Sequence, residues 1–141
     1  MLDFLFENIF LLLIIALSGF FLLFPRIFSA GAKSLSIKDA ILMMNRNPCV
    51  LIDLRSEDDF ISGHIANAQN IPYESIEKSV ETLKKYSNKH LILYCQKGIR
   101  SEKAMSLLQK IGMEKVYSIE GGLDQWIKNQ LPLASKKKYE N

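Results

Sequence analysis

Eighteen consecutive residues, Asn8 to Pro25, carry no charge and are mostly Ile, Leu and Phe. A run of that length approaches the ~20 apolar residues that cross a hydrocarbon core, and it exceeds the apolar stretch of an ordinary buried helix. It divides the 141-residue chain into an apolar N-terminal segment and a remainder of mixed composition, sized for one domain. The expected organisation is a transmembrane helix over 4–25, a linker over 26–34 (RIFSAGAKS), a folded domain over 35–133 and a basic tail over 134–141.

Two other readings of the run are weaker. A cleavable signal peptide wants a basic start, and Asp3 and Glu7 precede the run with no Lys or Arg, although Ala30-Gly31-Ala32 has the small residues of a cleavage site. A buried soluble helix would show a polar face, and none is present. Arg26, Lys33 and Lys38 follow the span while no cation precedes it, so a single-pass protein with its domain facing the cytoplasm is expected.

Charge and cysteine usage exclude several classes. A formal net charge of +3 is too small to argue for nucleic acid. Lys136-Lys137-Lys138 reads as a solvated end, with weak attraction to anionic lipid headgroups as the alternative. Cys49 and Cys95 stand far apart, with no CxxC pair and no Cys/His ligand spacing, and His64 and His90 are too few to build a metal centre.

After the linker, short apolar runs alternate with helical patterns. Helices are expected over Ile37–Asn45 behind Ser36, over 56–62 closed by Gly63, over Glu74–Tyr86, over Glu102–Ile111 and over Leu123–Gln130 with Trp126 in the core. Strands are expected at Val50–Ile52, Ala68–Ile71, Leu91–Tyr94 and Val116–Ile119. The alternation predicts an α/β fold, a parallel sheet with helices on both faces. Ligands in such folds bind outside the carboxyl ends of the strands, and Asp53, Cys95 and Gly121 all lie at or just past strand ends.

The segment richest in chemistry is Tyr94-Cys95-Gln96-Lys97-Gly98-Ile99-Arg100-Ser101. An apolar strand delivers Cys95, a short loop with one Gly follows, and Ser101 is placed to cap the next helix. Successive backbone N–H groups in such a loop form an anion nest, and the positive end of the helix points to the same place. The anion served is the Cys95 thiolate, the nucleophilic form of a cysteine. Lys97 and Arg100 add positive charge at the rim.

This segment resembles the active loop of rhodanese domains. Leu51-Ile52-Asp53-Leu54-Arg55 resembles the family's strand with Asp-x-Arg, and Phe60-Ile61-Ser62-Gly63-His64-Ile65 its Gly-His-Ile segment. Ala68-Gln69-Asn70-Ile71-Pro72 resembles its Asn-Ile-Pro, and Gly121-Gly122 with Trp126 its closing Gly-Gly and Trp, so the resemblance covers residues 35 to 133. It implies a rhodanese-like parallel sheet and a two-step sulfur transfer. Cys95 takes the outer sulfur of a donor such as thiosulfate, sulfite leaves, and a persulfide remains for a thiol or sulfur-carrier acceptor. No metal or organic cofactor is needed. Gln96, Lys97, Gly98, Ile99 and Arg100 would bind the donor, with Asp53 and Arg55 as supporting residues. His64 reads as structural, and so does Cys49, at the opposite sheet edge.

The rival readings are a cysteine-dependent phosphatase or arsenate reductase and a non-catalytic membrane-tethered docking module. The first uses the same strand–loop–helix logic but resembles Cys-x5-Arg, whereas Cys95 to Arg100 is Cys-x4-Arg. The second would be expected to lack the cysteine.

Overall fold

The computed structural model describes residues 2–28 and 34–135. It divides into two compact units, Met1–Gly31 and Ala32–Asn141. The first unit holds helices α1 (Leu2–Glu7) and α2 (Ile9–Phe28). A turn at Asn8 separates them, its amide Nδ2 donating back to the Phe4 carbonyl at 2.8 Å. The helical stretch expected over 4–25 is met as two helices, with α2 running past Pro25 to Phe28. Among the described residues no helix is long and apolar enough to cross a membrane. Phe10, Leu13, Ile14 and Leu17 on α2 are exposed. Ala30-Gly31-Ala32, Lys33 and Lys136-Lys137-Lys138 lie outside the described residues.

The second unit is a five-stranded parallel sheet. Its strands are β1 (Ser34–Leu35), β2 (Cys49–Asp53), β3 (Gln69–Asn70), β4 (His90–Tyr94) and β5 (Val116–Ile119), in the order β1-β5-β4-β2-β3. β4 sits inside the sheet, paired to β2 from Cys49↔His90 to Asp53↔Tyr94 and to β5 from Leu91↔Val116 to Leu93↔Ser118. This explains its unbroken Leu91-Ile92-Leu93-Tyr94 run, since a strand covered on both faces gains from apolar residues on both.

Helices α3 (Ile37–Arg46), α4 (Glu57–Ser62), α5 (Val80–Lys84), α6 (Ile99–Lys110) and α7 (Gly122–Lys128) complete the unit. Each sheet face buries its own cluster. Leu93, Cys95 and Val116 join Ala104, Met105 and Leu108 of α6, together with Leu83 of α5. On the other face, Leu51, Ile92 and Tyr94 meet Ala40 of α3 and Leu123 and Trp126 of α7. Ser36 and Ser56 cap α3 and α4 by accepting the Asp39 and Asp59 N–H groups, as short polar residues at such positions do.

Several expected boundaries shift. The helix expected over Glu74–Tyr86 is a 3-10 turn, Tyr73–Ser75, followed by the five-residue α5. Tyr73 N–H donates to the Leu54 carbonyl and ties the turn to the strand end, which outweighs the local helical pattern. Ser34, assigned to the linker, is an edge-strand residue paired with Ser118. α6 begins at Ile99, three residues before the expected start, and so brings its first turn into the Cys95 loop.

The separation of the two units generates a prediction. A polypeptide of residues 33–141 should be monodisperse without detergent in size-exclusion chromatography, because its own clusters are closed. Aggregation of that polypeptide, where the full chain is dispersed in detergent, would contradict the division.

Candidate active site

All five strands run parallel, so their carboxyl ends share one edge, where Asp53 ends β2, Tyr94 ends β4 and Ile119 ends β5. Cys95 follows β4 directly. Its side chain is 2% exposed, and its Sγ accepts the Gly98 N–H at 3.1 Å. Gly98 is the residue before α6 and has φ +93°, a left-handed conformation that glycine adopts without penalty. A Cβ there would meet the backbone N of Gly121 at 3.1 Å.

The loop is held from the other side by α7. The Leu123 N–H donates to the Cys95 carbonyl at 2.8 Å and the Asp124 N–H to the Gln96 carbonyl at 3.0 Å. Those peptides are trans, so the N–H groups of Gln96 and Lys97 point away from α7. Neither N–H is bonded within the described residues. The first turn of α6 adds N–H groups that have no intrahelical partner. The result is one backbone donor, the Gly98 N–H, on Cys95 Sγ, in a loop with further unbonded N–H groups and the positive end of a twelve-residue helix after it. Gly122, at φ +60°, makes the approach possible, since a Cβ there would collide with the carbonyl oxygen of Cys95 and lie 2.8 Å from that of Gln96.

Beneath the loop lies a buried ion pair. Asp53 is fully buried and Arg55 is 4% exposed. Arg55 donates through Nε and Nη2 to the Asp53 carboxylate, at 2.7 Å for the shortest contact, and through Nη2 to the Gly63 carbonyl at 2.6 Å. Burial works against the Arg55 charge, yet the hydrogen bonds and charge of Asp53 reverse it and leave its pKa raised. Asn70 Nδ2 clamps the carbonyls of Asp53 and Arg55 at 3.1 and 2.9 Å. The Tyr94 hydroxyl accepts the Ile65 N–H at 3.1 Å, and burial, with the Asp53 carboxylate, pushes its pKa up, so it stays a neutral phenol.

The remaining sequence-derived residues fall as follows. Arg55 Nη1 reaches the Gln96 Oε1 at 3.4 Å, and Gln96 Nε2 donates to Asp124 Oδ1, so the Gln96 side chain is a brace while its N–H stays in the loop. Lys97 and Ile99 are exposed, and Arg100 is half-buried with no ion pair among the described residues. Gly98, rather than Ser101, holds the cap position of α6, without a side-chain bond. Ser101 instead turns inward, buried, beside Cys95. His64 is a scaffold residue, with Nδ1 2.7 Å from the Phe60 carbonyl oxygen, its ring stacked on Phe60 and its backbone bridged to Ala134. Cys49 lies at the far end of the parallel strands, and burial pushes its thiol pKa up. Sequence reasoning missed Asp124 and Ser118. Their partners come from distant segments, and no local spacing marks them.

Two outcomes follow from this geometry. Removing the Asp53 carboxylate in Asp53→Ala strands a buried guanidinium and should cost about 3–5 kcal/mol in urea unfolding. A cost below about 1 kcal/mol would show the pair to be peripheral. Gly122→Ala should leave the sheet folded by circular dichroism but slow alkylation of Cys95 at neutral pH by about tenfold, because the loop's donors are displaced from the sulfur. Unchanged alkylation would show that α7 does not set the loop.

The comparisons with known proteins agree with this architecture. Residues 36–129 match the family model described as Rhodanese-like domain. The chain is 34% identical over 99 residues to a tRNA uridine(34) hydroxylase of Buchnera aphidicola, covering 67% of this chain and 32% of that protein. It is 35% identical over 96 residues to the protein of that name from Salmonella agona, covering 65% of this chain and 27% of that one. The chain thus spans about a third or less of these relatives. Among solved structures it resembles a rhodanese-related protein from Thermoplasma volcanium, with TM-score 0.67 and 26% identity over 74% of this chain and 99% of that one. It also shares its fold with a human single-domain sulfurtransferase, at TM-score 0.60 and 24% identity over 70% of this chain and 97% of that one. With the match spanning β2 to α7 and the cysteine loop between them, the chain belongs to the rhodanese-like domain family.

Proposed function

We propose that this protein is a sulfurtransferase that carries a sulfane sulfur on Cys95. The observation that carries the reading is the Gly98 N–H on Cys95 Sγ at 3.1 Å, in a loop whose other N–H groups face away from α7. Donors fixed before reaction stabilise a sulfur anion without reorganising. In the first step the Cys95 thiolate attacks the outer sulfur of a donor such as thiosulfate. The donor S–S bond breaks, and its electron pair leaves with sulfite. In the second step a thiol or sulfur-carrier acceptor attacks the outer sulfur of the persulfide, and the Cys95 thiolate is restored. Gln96, Lys97, Gly98 and Ile99 supply backbone N–H groups, and Arg100 orients the anionic donor. Asp53 and Arg55 hold the floor of the site.

The loop favours sulfur over phosphate. Four residues separate Cys95 from Arg100, one fewer than in the Cys-x5-Arg loop of the phosphatases. The neutral Cys49 thiol lies at the other end of the sheet, which supports a single-cysteine mechanism. The tRNA hydroxylases matched by this chain are much longer proteins, of which it covers 32% and 27%.

For the N-terminal unit our reading is a membrane tether. The uncharged run and the exposed Phe10, Leu13, Ile14 and Leu17 support it. The cations Arg26, Lys33 and Lys38 support a domain on the cytoplasmic side. Protease added to intact cells should leave the domain uncut while digesting it after lysis, and cleavage in intact cells would invert the orientation.

The catalytic reading is tested by substitution. Cys95→Ser should abolish thiocyanate formation from thiosulfate and cyanide while leaving the fold intact, because a hydroxyl cannot form a persulfide. Arg100→Ala should lower kcat/KM for thiosulfate by about tenfold and spare a neutral persulfide donor. Equal losses with both donors would move Arg100 to the scaffold. Phosphate release from an aryl phosphate without thiocyanate formation would replace the sulfurtransferase reading by the phosphatase one.

A further inference from the structure

Ser118 stands out in the cluster between the sheet and α6. It belongs to β5, points to the same face as Leu93 and Val116, and is fully buried in otherwise apolar surroundings. A hydroxyl there is costly unless it is bonded. Its Oγ lies 2.7 Å from Ser101 Oγ, its hydrogen-bond partner among the described residues. Ser101, also fully buried, has three neighbours for its single proton, namely Ser118 Oγ, the Gly98 carbonyl at 3.0 Å and Cys95 Sγ at 3.6 Å. The two hydroxyls form a chain that ends on the reactive sulfur.

The proton count makes this chain sensitive to the state of the sulfur. While Cys95 is a thiol, its S–H donates to Ser101 Oγ, and Ser101 donates to the Gly98 carbonyl. A thiolate has no proton to give and must receive one. Ser101 can turn its O–H toward Sγ, because the Gly98 carbonyl keeps the Glu102 N–H at 3.1 Å. Ser118 then donates to Ser101 Oγ, so every group stays paired and the donors align toward the sulfur. Neither hydroxyl reaches solvent, so the chain can reorient but cannot carry a proton out.

We infer that Ser118 is a positioning residue that, through Ser101, stabilises Cys95 Sγ as the departing thiolate in the sulfur-release step. This rests on the sulfur-transfer reading above. In the persulfide the charge lies on the outer sulfur, and Sγ, bonded to carbon and sulfur, is a poor acceptor. When an acceptor attacks the outer sulfur, the S–S bond breaks and its electron pair returns to Sγ. The hydroxyl chain therefore acts where charge develops, and a better-stabilised thiolate leaves faster. The loading step benefits less, since a stabilised thiolate is more abundant but less nucleophilic.

The test follows Cys95 in the full chain, by peptide mass spectrometry after alkylation across pH and by single-turnover loading with thiosulfate and discharge to cyanide. Ser118→Ala should raise the alkylation midpoint by about one pH unit and slow discharge by about tenfold, while loading at high pH changes by less than about threefold. Ser118→Thr and Ser118→Val match in shape and differ in the hydroxyl, so they decide the matter even if alanine unfolds the domain. Threonine should keep the wild-type midpoint and discharge rate, and valine should behave as alanine does. Equal midpoints and discharge rates for threonine and valine would reduce Ser118 to a packing residue and overturn the inference. The alkylation midpoint needs no sulfur donor. A wild-type chain that never loads sulfur therefore sinks the sulfurtransferase reading, while the midpoints still judge the hydroxyl chain.

Discussion

Two backbone hydrogen bonds, from the Leu123 and Asp124 N–H groups to the carbonyls of Cys95 and Gln96, set the arrangement of the whole site. A loop of free peptide groups would present carbonyls and N–H groups to a sulfur anion in a mixture. By taking the two carbonyls, α7 leaves the N–H groups of Gln96 and Lys97 on the opposite side, and α6 completes the set from Gly98 onward. The arrangement depends on closeness that a side chain at Gly122 would prevent. The same helix buries Leu123 and Trp126 on the sheet face opposite α6, so the loop is fixed by packing against the core.

The Asp53–Arg55 pair plays the corresponding part below. A buried ion pair is weak evidence for stability, because desolvation offsets much of its attraction. Its geometry nevertheless joins four segments. Arg55 reaches Gly63 after α4 and Gln96 in the loop, and Asn70 locks the carbonyls on either side of Leu54. Gln96 passes the connection on to Asp124. The ends of β2 and β4 and the start of α7 are thereby coupled by side chains, in addition to the sheet.

Much of this was legible in the sequence, for identifiable reasons. Leu91–Tyr94 reads as an interior strand because both faces are apolar, and the Gly98-containing loop after Cys95 announces a strand-to-helix turn. Asp53 and Arg55, two residues apart at a strand end, could be expected to pair. What stayed hidden depends on contacts across the fold. Ser101 looks like a helix cap from its position, yet an earlier helix start turns it inward. Ser118 is one small residue in an apolar strand, and only the packing of α6 on β5 shows what its hydroxyl meets. The five-residue α5 departs from its long helical pattern because Tyr73 is tied to Leu54. The break at Asn8 falls where the polar pair Glu7-Asn8 interrupts the apolar stretch.

In the proposed reaction a single cysteine, Cys95, carries the sulfur. Intact-mass and peptide mass spectrometry of the full chain after exposure to thiosulfate, with excess donor removed, measures this directly. One added sulfur atom per chain is expected, located on Cys95 and lost on addition of cyanide. An unmodified Cys95, or the added sulfur found on Cys49, would contradict it.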